Sequence, residues 1–561
     1  MNRTAILLFL LVALGLPGYI TTQPKLAVAH EASISHTENT NYAAPLFNNL
    51  GDYDHPISTN SKLAQRYFDQ GLILAYGFNH AEAVRSFKEA AKLDPNCAMC
   101  YWGIAYVLGP NINAPMEEEA LIETGQALQK AIALSKNASE KEQAYIQALA
   151  KRYPIKHVED RKPFDIAYAN AMREVAKRYP DDLDAATLFV EALMDTTPWD
   201  YWKENGEPKP EGIEIMARLE SILQHNPNHP GANHLYIHAV EKARPELGVA
   251  AADRLMSLVP GAGHLVHMAS HIYIRVGRYH DAVVSNQRGI EADSAYTNHG
   301  HTQTMYSMAY MPHNHHFLWF AALMTGQSEL AIQAATQTAK VDEKQMRQPE
   351  LSGSLQHYYV IPLYTLTRFG KWDEILTTPA PANDLKYPIG VWHYARGMAF
   401  VAKGQLEQAT QELEQLRAIA ADPALEQIKI WGFNSTTHVL NIATEVLAGE
   451  LAAKQGNYEQ AVAHLRSAIK FEDTMVYTEP ADWYHPTRQS LGTVLLEANR
   501  AAEAEQVYRE DLKIYPENAW SLFGLAQSLQ AQGKTEAAKA VQQRFDEAWK
   551  YSDVTLTDAR F

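Results

Sequence analysis

Cysteine is nearly absent: the 561 residues hold two, Cys97 and Cys100. A scaffold stapled by many disulfides is therefore excluded. The pair could form a local disulfide, stay as thiols or bind metal. The next residue is Tyr101, not the His that would signal covalent haem, and no second pair exists to complete a four-Cys zinc site. Basic runs are also missing. Lys and Arg number 49 against 65 Asp and Glu, a formal net charge of −16. Nucleic acid is not an expected partner, because phosphate binding needs clustered cations. There is no Gly-rich phosphate loop, no Gly-x-Ser-x-Gly elbow and no His-Glu-x-x-His. With no recognisable catalytic motif, any enzyme activity would have to be metal-dependent and come from histidine.

Long apolar runs are scarce too. The best, Ala5 to Leu16, follows Arg3 and is broken by Pro17-Gly18. It is too short to span a bilayer comfortably. Ala27-Val28-Ala29 offers a small-x-small cleavage site, so residues 1–29 read as an export signal and the chain as periplasmic or extracellular. No later segment is apolar enough to be transmembrane.

What is present is a repeat with a period of about 34 residues. Its clearest turn is Gly456-Asn457-Tyr458-Glu459-Gln460-Ala461. The pattern returns at Gly277–Ala282, Gly326–Ala331, Gly404–Ala409 and Gly533–Ala538, with a weaker copy at Gly370-Lys371-Trp372. Phe78–Ala83 and Asn499–Ala504 carry it without the glycine. These turns resemble those of the tetratricopeptide repeat superfamily. The resemblance implies an all-α solenoid of helix pairs, in which the first helix of each pair lines a concave groove.

The expected organisation is a polar leader over 30–60, N-terminal repeats over 61–136, and divergent helices with an insertion over 137–228. A His-rich set spans 229–345. Further repeats span 346–475 and 476–550, and 551–561 is a tail. The insertions Pro110–Pro115 and Thr197–Trp202 are expected near the binding face, since additions to solenoids gather there.

The histidines crowd between His229 and His316. In the repeat frame, His267 and His271 take the fifth and ninth positions of a groove-lining helix. His234 and His238 take the same positions one repeat earlier. Residues four apart share one side of a helix, so two adjacent helices each present a His pair at matching heights. Neighbouring axes lie about 8–10 Å apart, a gap that two imidazoles can bridge through one ion at about 2.0–2.1 Å from each nitrogen. The four are candidate ligands for copper, zinc or iron, with His264, Glu241, His313 and His316 as secondary candidates. His80, His280 and His464 read as solvated, and His225 and His229 as loop residues beside Pro227. Trp102, Asn111, Asn113, Tyr394 and Arg488 are further groove candidates.

The resulting expectation is an exported scaffold whose groove binds a peptide or protein and carries a His-rich metal site. A metalloenzyme using that cluster, and a pH-sensitive binding scaffold without metal, are the competing readings.

Overall fold

The computed structural model describes residues 44–154, 158, 160–297, 306–349 and 351–560. The segment expected to be an export signal, the first part of the expected leader, and His299 and His301 lie outside the described residues. The regular structure of the described residues is helical, from Lys62–Tyr76 to Thr535–Ala548, apart from one two-stranded hairpin, Lys429–Ile430 and Asn434–Ser435.

The repeat turns share one geometry. Gly277, Gly326, Gly370, Gly404, Gly456 and Gly533 all have φ between 64° and 82°. At Gly456 the next amide, Asn457, donates to the Ala452 carbonyl at 2.9 Å, and the Gly456 amide donates to Ala453. This left-handed closure satisfies the last carbonyls of the helix, and glycine adopts it without steric cost. Phe78 (φ 54°) and Asn499 (φ 58°) close their helices the same way, so the two turns lacking glycine are true copies.

The core is also periodic. Phe87 reaches from the second helix of the first repeat between Gly71 and Gly103. A Cβ on those glycines would lie 2.7 and 2.4 Å from its ring. Tyr508 sits between Gly492 and Gly524 near the other end, at 2.3 and 2.1 Å. Tyr508→Ala is expected to cost about 3–5 kcal/mol, since two helix backbones held apart by the ring cannot collapse into the gap. Urea unfolding followed by a probe in residues 487–548 measures it.

The superhelix curls back on itself. Trp520 Nε1 donates to the Leu323 carbonyl at 2.9 Å, and the Ser328 amide donates to Asp553 at 2.7 Å. On the opposite side the Gly261 amide donates to the Asn49 carbonyl at 2.8 Å. The concave face is consequently not the open groove that the repeat frame suggests. Four excursions between helices come together over it: residues 110–115, 197–209, the hairpin 429–435 and the segment 474–486. They cover a cavity of about 380 Å³.

Candidate metal centre

Four helices carry the candidate ligands: α1 (Pro230–Val240), α2 (Gly263–His267), α3 (Ala269–Arg275) and α4 (Met311–Met324). Helices α2 and α3 are one helix broken at Met268. There the His271 amide reaches back only three residues, to the Met268 carbonyl. That tight turn lies between His267 and His271. Helix α4 follows one turn of π-helix, Tyr306–Tyr310, a distortion often found at functional sites.

The paired histidines meet in register. His234 Nε2 lies 3.0 Å from His238 Nε2, and His267 Nε2 lies 3.0 Å from His271 Nε2. Each pair gains a third ring. Ligand atoms of His234, His238 and His264 all fall within 4.8 Å of one another, as do those of His267, His271 and His313. The triads abut: His264 and His267 have ring centroids 5.7 Å apart, and His238 and His271 5.6 Å. The candidate donors therefore form two triads, with His264 and His313 as full members, rather than one quartet.

The other nitrogen of each paired ring faces an acceptor. His234 Nδ1 donates to the Tyr76 carbonyl at 2.6 Å. His267 Nδ1 donates to Asn286 Oδ1 at 2.6 Å, and the Asn286 amide nitrogen donates to the Ala282 carbonyl, which fixes the amide's orientation. His238 Nδ1 donates to Glu241 Oε1 at 3.1 Å. His271 Nδ1 lies 2.8 Å from Glu241 Oε2 and 2.7 Å from Glu479 Oε2. Protons held on Nδ1 leave the Nε2 lone pairs free, the arrangement that outer-shell acceptors impose on metal-ligating histidines.

Protons do not fill the first gap. Burial, and then neighbouring rings, hold His234, His238, His264, His267 and His313 well below the ordinary histidine range. His271 differs. Burial opposes its charge, but Glu241 and Glu479 override it and push the ring up to about 9. So His271 can hold a proton toward His267, whereas His234 and His238 face each other as two neutral acceptors. His264 is 2% exposed, and neither of its ring nitrogens has a hydrogen-bond partner among the described residues. A buried imidazole with two orphaned nitrogens demands a cause.

The remaining expectations separate. His316 lies apart from both triads, stacked on Trp319 and 5.8 Å from His357 between ring centroids. Trp102 (1% exposed) and Tyr394 (0%) are core residues rather than groove residues. Trp102 stacks on Tyr106, and Tyr394 meets the Tyr484 hydroxyl at 3.1 Å. Asn111 turns back on its own loop, accepting from the Asn113 and Ala114 amides, while Asn113 lines the cavity. Arg488 pairs with Asp473 through two bonds beside a separate cavity of about 270 Å³. Cys97 and Cys100 are joined in a disulfide. His80 is half-buried rather than solvated, and burial pushes its ring down to about 4. His280, also half-buried, stacks on Tyr551, and His464 pairs with Glu445. His225 ends a helix on the surface, but His229 is 1% exposed and caps α1, accepting from the Ala232 amide.

Residue spacing gives no hint of Tyr76 or Asn286, which lie on helices that show no sign of the site. Glu479 is also missed by spacing. It stands in a non-helical stretch long for a repeat connection, which is a usable signal.

A tetratricopeptide repeat model matches residues 443–467 and 519–541. No curated protein sequence matches the chain. Among solved structures, the human IFIT1 dimer with m7Gppp-AAAA is 12% identical, covering 88% of this chain and 91% of that one, with TM-score 0.30. The APC/C hetero-tetramer Cut9-Hcn1 is 13% identical over 84% of this chain and 78% of that one, with TM-score 0.30. The P58(IPK) TPR domain is 12% identical over 84% and 99%, with TM-score 0.22.

Proposed function

This chain is a tetratricopeptide repeat protein, and we propose that its interior holds two transition-metal ions, each on three histidines. The observation that carries the reading is the 3.0 Å approach of His234 Nε2 and His238 Nε2 with their Nδ1 atoms committed elsewhere. Two ligands at about 2.0–2.1 Å and roughly 90–110° apart at the metal lie about 2.9–3.4 Å from each other. The same distance between two neutral acceptors is repulsive unless a cation sits between them. His264 then supplies the third bond and loses its orphaned nitrogens. His267, His271 and His313 offer three nitrogens in the same way, and there the ion displaces the proton that His271 otherwise holds toward His267.

Three protein ligands leave a position open at each ion, the pattern of reactive rather than purely structural sites. His238, His264, His271 and His313 border the cavity, so the open positions are placed where a small molecule can reach them. Glu241 and Glu479 stand behind His238 and His271 and offset part of the added charge. A tetratricopeptide scaffold suggests a protein-interaction role as well. Here the chain's own loops cover the first-helix face at the cavity. Export is part of the proposal, supported by the Cys97–Cys100 disulfide, since such bonds persist in oxidising compartments.

The test is elemental analysis of untagged protein equilibrated with zinc or copper and freed of excess metal. Two ions per chain are expected, falling to one in His234→Ala/His238→Ala and to one in His267→Ala/His271→Ala. Substoichiometric metal that neither double variant changes would overturn the reading.

A further inference from the structure

The cavity beside the triads has a chemistry of its own, and its assignment rests on the presence of the two metal ions. We propose that it takes a small aromatic molecule bearing an oxygen donor, of the phenol or catechol class, with the oxygen turned toward the histidines and the ring between aromatic walls.

Trp199, Trp202, Tyr358, Trp431 and Phe433 line the cavity, drawn from three separate parts of the chain. Two are held in backbone conformations that side chains rarely adopt: Trp199 has φ 63° and Trp431 φ 52°. Trp431 and Gly432 (φ 80°) are the two central residues of a β-turn within the three-residue hairpin loop 431–433, closed by the Phe433 amide donating to Ile430 at 2.9 Å. Such a turn favours Asn, Asp or Gly at its first central position. A tryptophan there gains nothing for the turn, and strained residues cluster at ligand clamps. The turn swings Trp431 and Phe433 to the cavity, where Trp431 packs at 5.1 Å on Tyr358. Trp199 is fixed by its Nε1 donating to the Ile112 carbonyl at 3.0 Å, and its ring stands edge-on to His238 at 4.9 Å.

The mouth is apolar as well. Phe433 is 43% exposed and Val476 48%, although neither has a core to fill. Flat aromatic walls select a planar ring, and about 380 Å³ is the low end of small-molecule sites, so one or two rings fit. A buried phenol forms part of the wall as well. Tyr358 is 1% exposed, lines the cavity, and its hydroxyl has no hydrogen-bond partner among the described residues. Six neutral imidazoles cancel none of the charge of two divalent ions, and Glu241 and Glu479 cancel only part of it. An anionic oxygen, such as a phenolate, removes one of the two positive charges that remain.

The test is titration of the zinc-loaded full chain with 4-nitrocatechol, read by its visible absorption, with the metal content measured before and after. Saturable binding of one probe per chain, competed by phenol and not by cyclohexanol, is expected. Trp431→Gly suits the left-handed turn and preserves the fold. It should keep two metal ions and weaken the probe tenfold or more. Two ions with no probe binding, or with equal affinity in Trp431→Gly, would overturn the aromatic assignment and leave the metal reading standing. Transfer of metal from protein to probe would also overturn it. Failure to load metal would remove both.

Discussion

His264→Leu is expected to make the metal-stripped protein more stable and to remove one of the two increments of stability that metal adds. The ring is 2% exposed, and both nitrogens lack a hydrogen-bond partner among the described residues. A buried, unsatisfied polar group costs about 1–3 kcal/mol, and an apolar side chain of similar size removes that cost. Phe78 and Tyr310 already pack on the ring, at 5.7 and 4.8 Å between centroids, so leucine finds apolar company. With metal the order reverses. An ion that binds only the folded chain stabilises it by about 4 kcal/mol when free metal exceeds Kd 1,000-fold. His264→Leu forfeits this at the first triad and keeps it at the second. Urea midpoints with chelator and with zinc measure both effects. A variant less stable than wild type in chelator would mean that the ring is a packing element. A metal-dependent gain equal to wild type would mean that the first triad is not a site.

The sequence announced the scaffold because each repeat turn is a local event. Gly456 and Ala461 act within one helix pair, and the left-handed closure needs no distant partner. The His pairs were legible for the same reason, since a spacing of four puts His267 and His271 on one side of one helix whatever else happens. The third ligand was harder to rank. His264 and His313 join their triads through the broken helix at Met268 and through the approach of α4, and neither is set by spacing alone. The closing loops were less legible still. Trp431 and Phe433 are nearly two hundred residues from His238 in sequence, and only the curl of the superhelix brings them to one cavity. Trp102 and Tyr394 misled for the reverse reason: they lie where groove residues lie in the repeat frame, yet aromatic neighbours from other helices enclose them.

Asp184→Asn is expected to destabilise the fold by about 3–5 kcal/mol, the range for removing one partner of a buried ion pair. Asp184 opens the helix Leu183–Met194 and is 8% exposed. Its Oδ2 lies 2.7 Å from His55 Nδ1. Its Oδ1 accepts from the Tyr53 hydroxyl and from the Tyr76 hydroxyl at 2.6 Å, and lies 3.3 Å from His229 Nε2. Burial alone would raise this carboxyl, but hydrogen bonds from His229 and His55 and the charge of those rings hold it well below the usual range. Burial likewise opposes charge on His55, and Asp184 overrides it to raise that ring. The depressed carboxyl contributes stability that is full above its unfolded pKa of about 3.9 and is lost as pH falls through the folded value. The raised His55 contributes stability that is full below its unfolded pKa of about 6.5 and is lost as pH rises through the folded value. The difference between wild type and Asp184→Asn is thus widest between about pH 4 and about pH 6.5 and narrows on either side. Urea unfolding at about pH 5.5 and about pH 8.5 checks it, and an equal difference at both would mean that His55 is not the charged partner. The same variant reaches the metal centre. Asp184 anchors the Tyr76 hydroxyl, and the Tyr76 carbonyl fixes the His234 ring. The Tyr76 carbonyl itself stays in place, so the loss of metal affinity should be smaller than the roughly 10–100-fold that removal of a direct outer-shell partner costs, and it should fall on the triad His234, His238 and His264 while leaving the other triad's affinity unchanged.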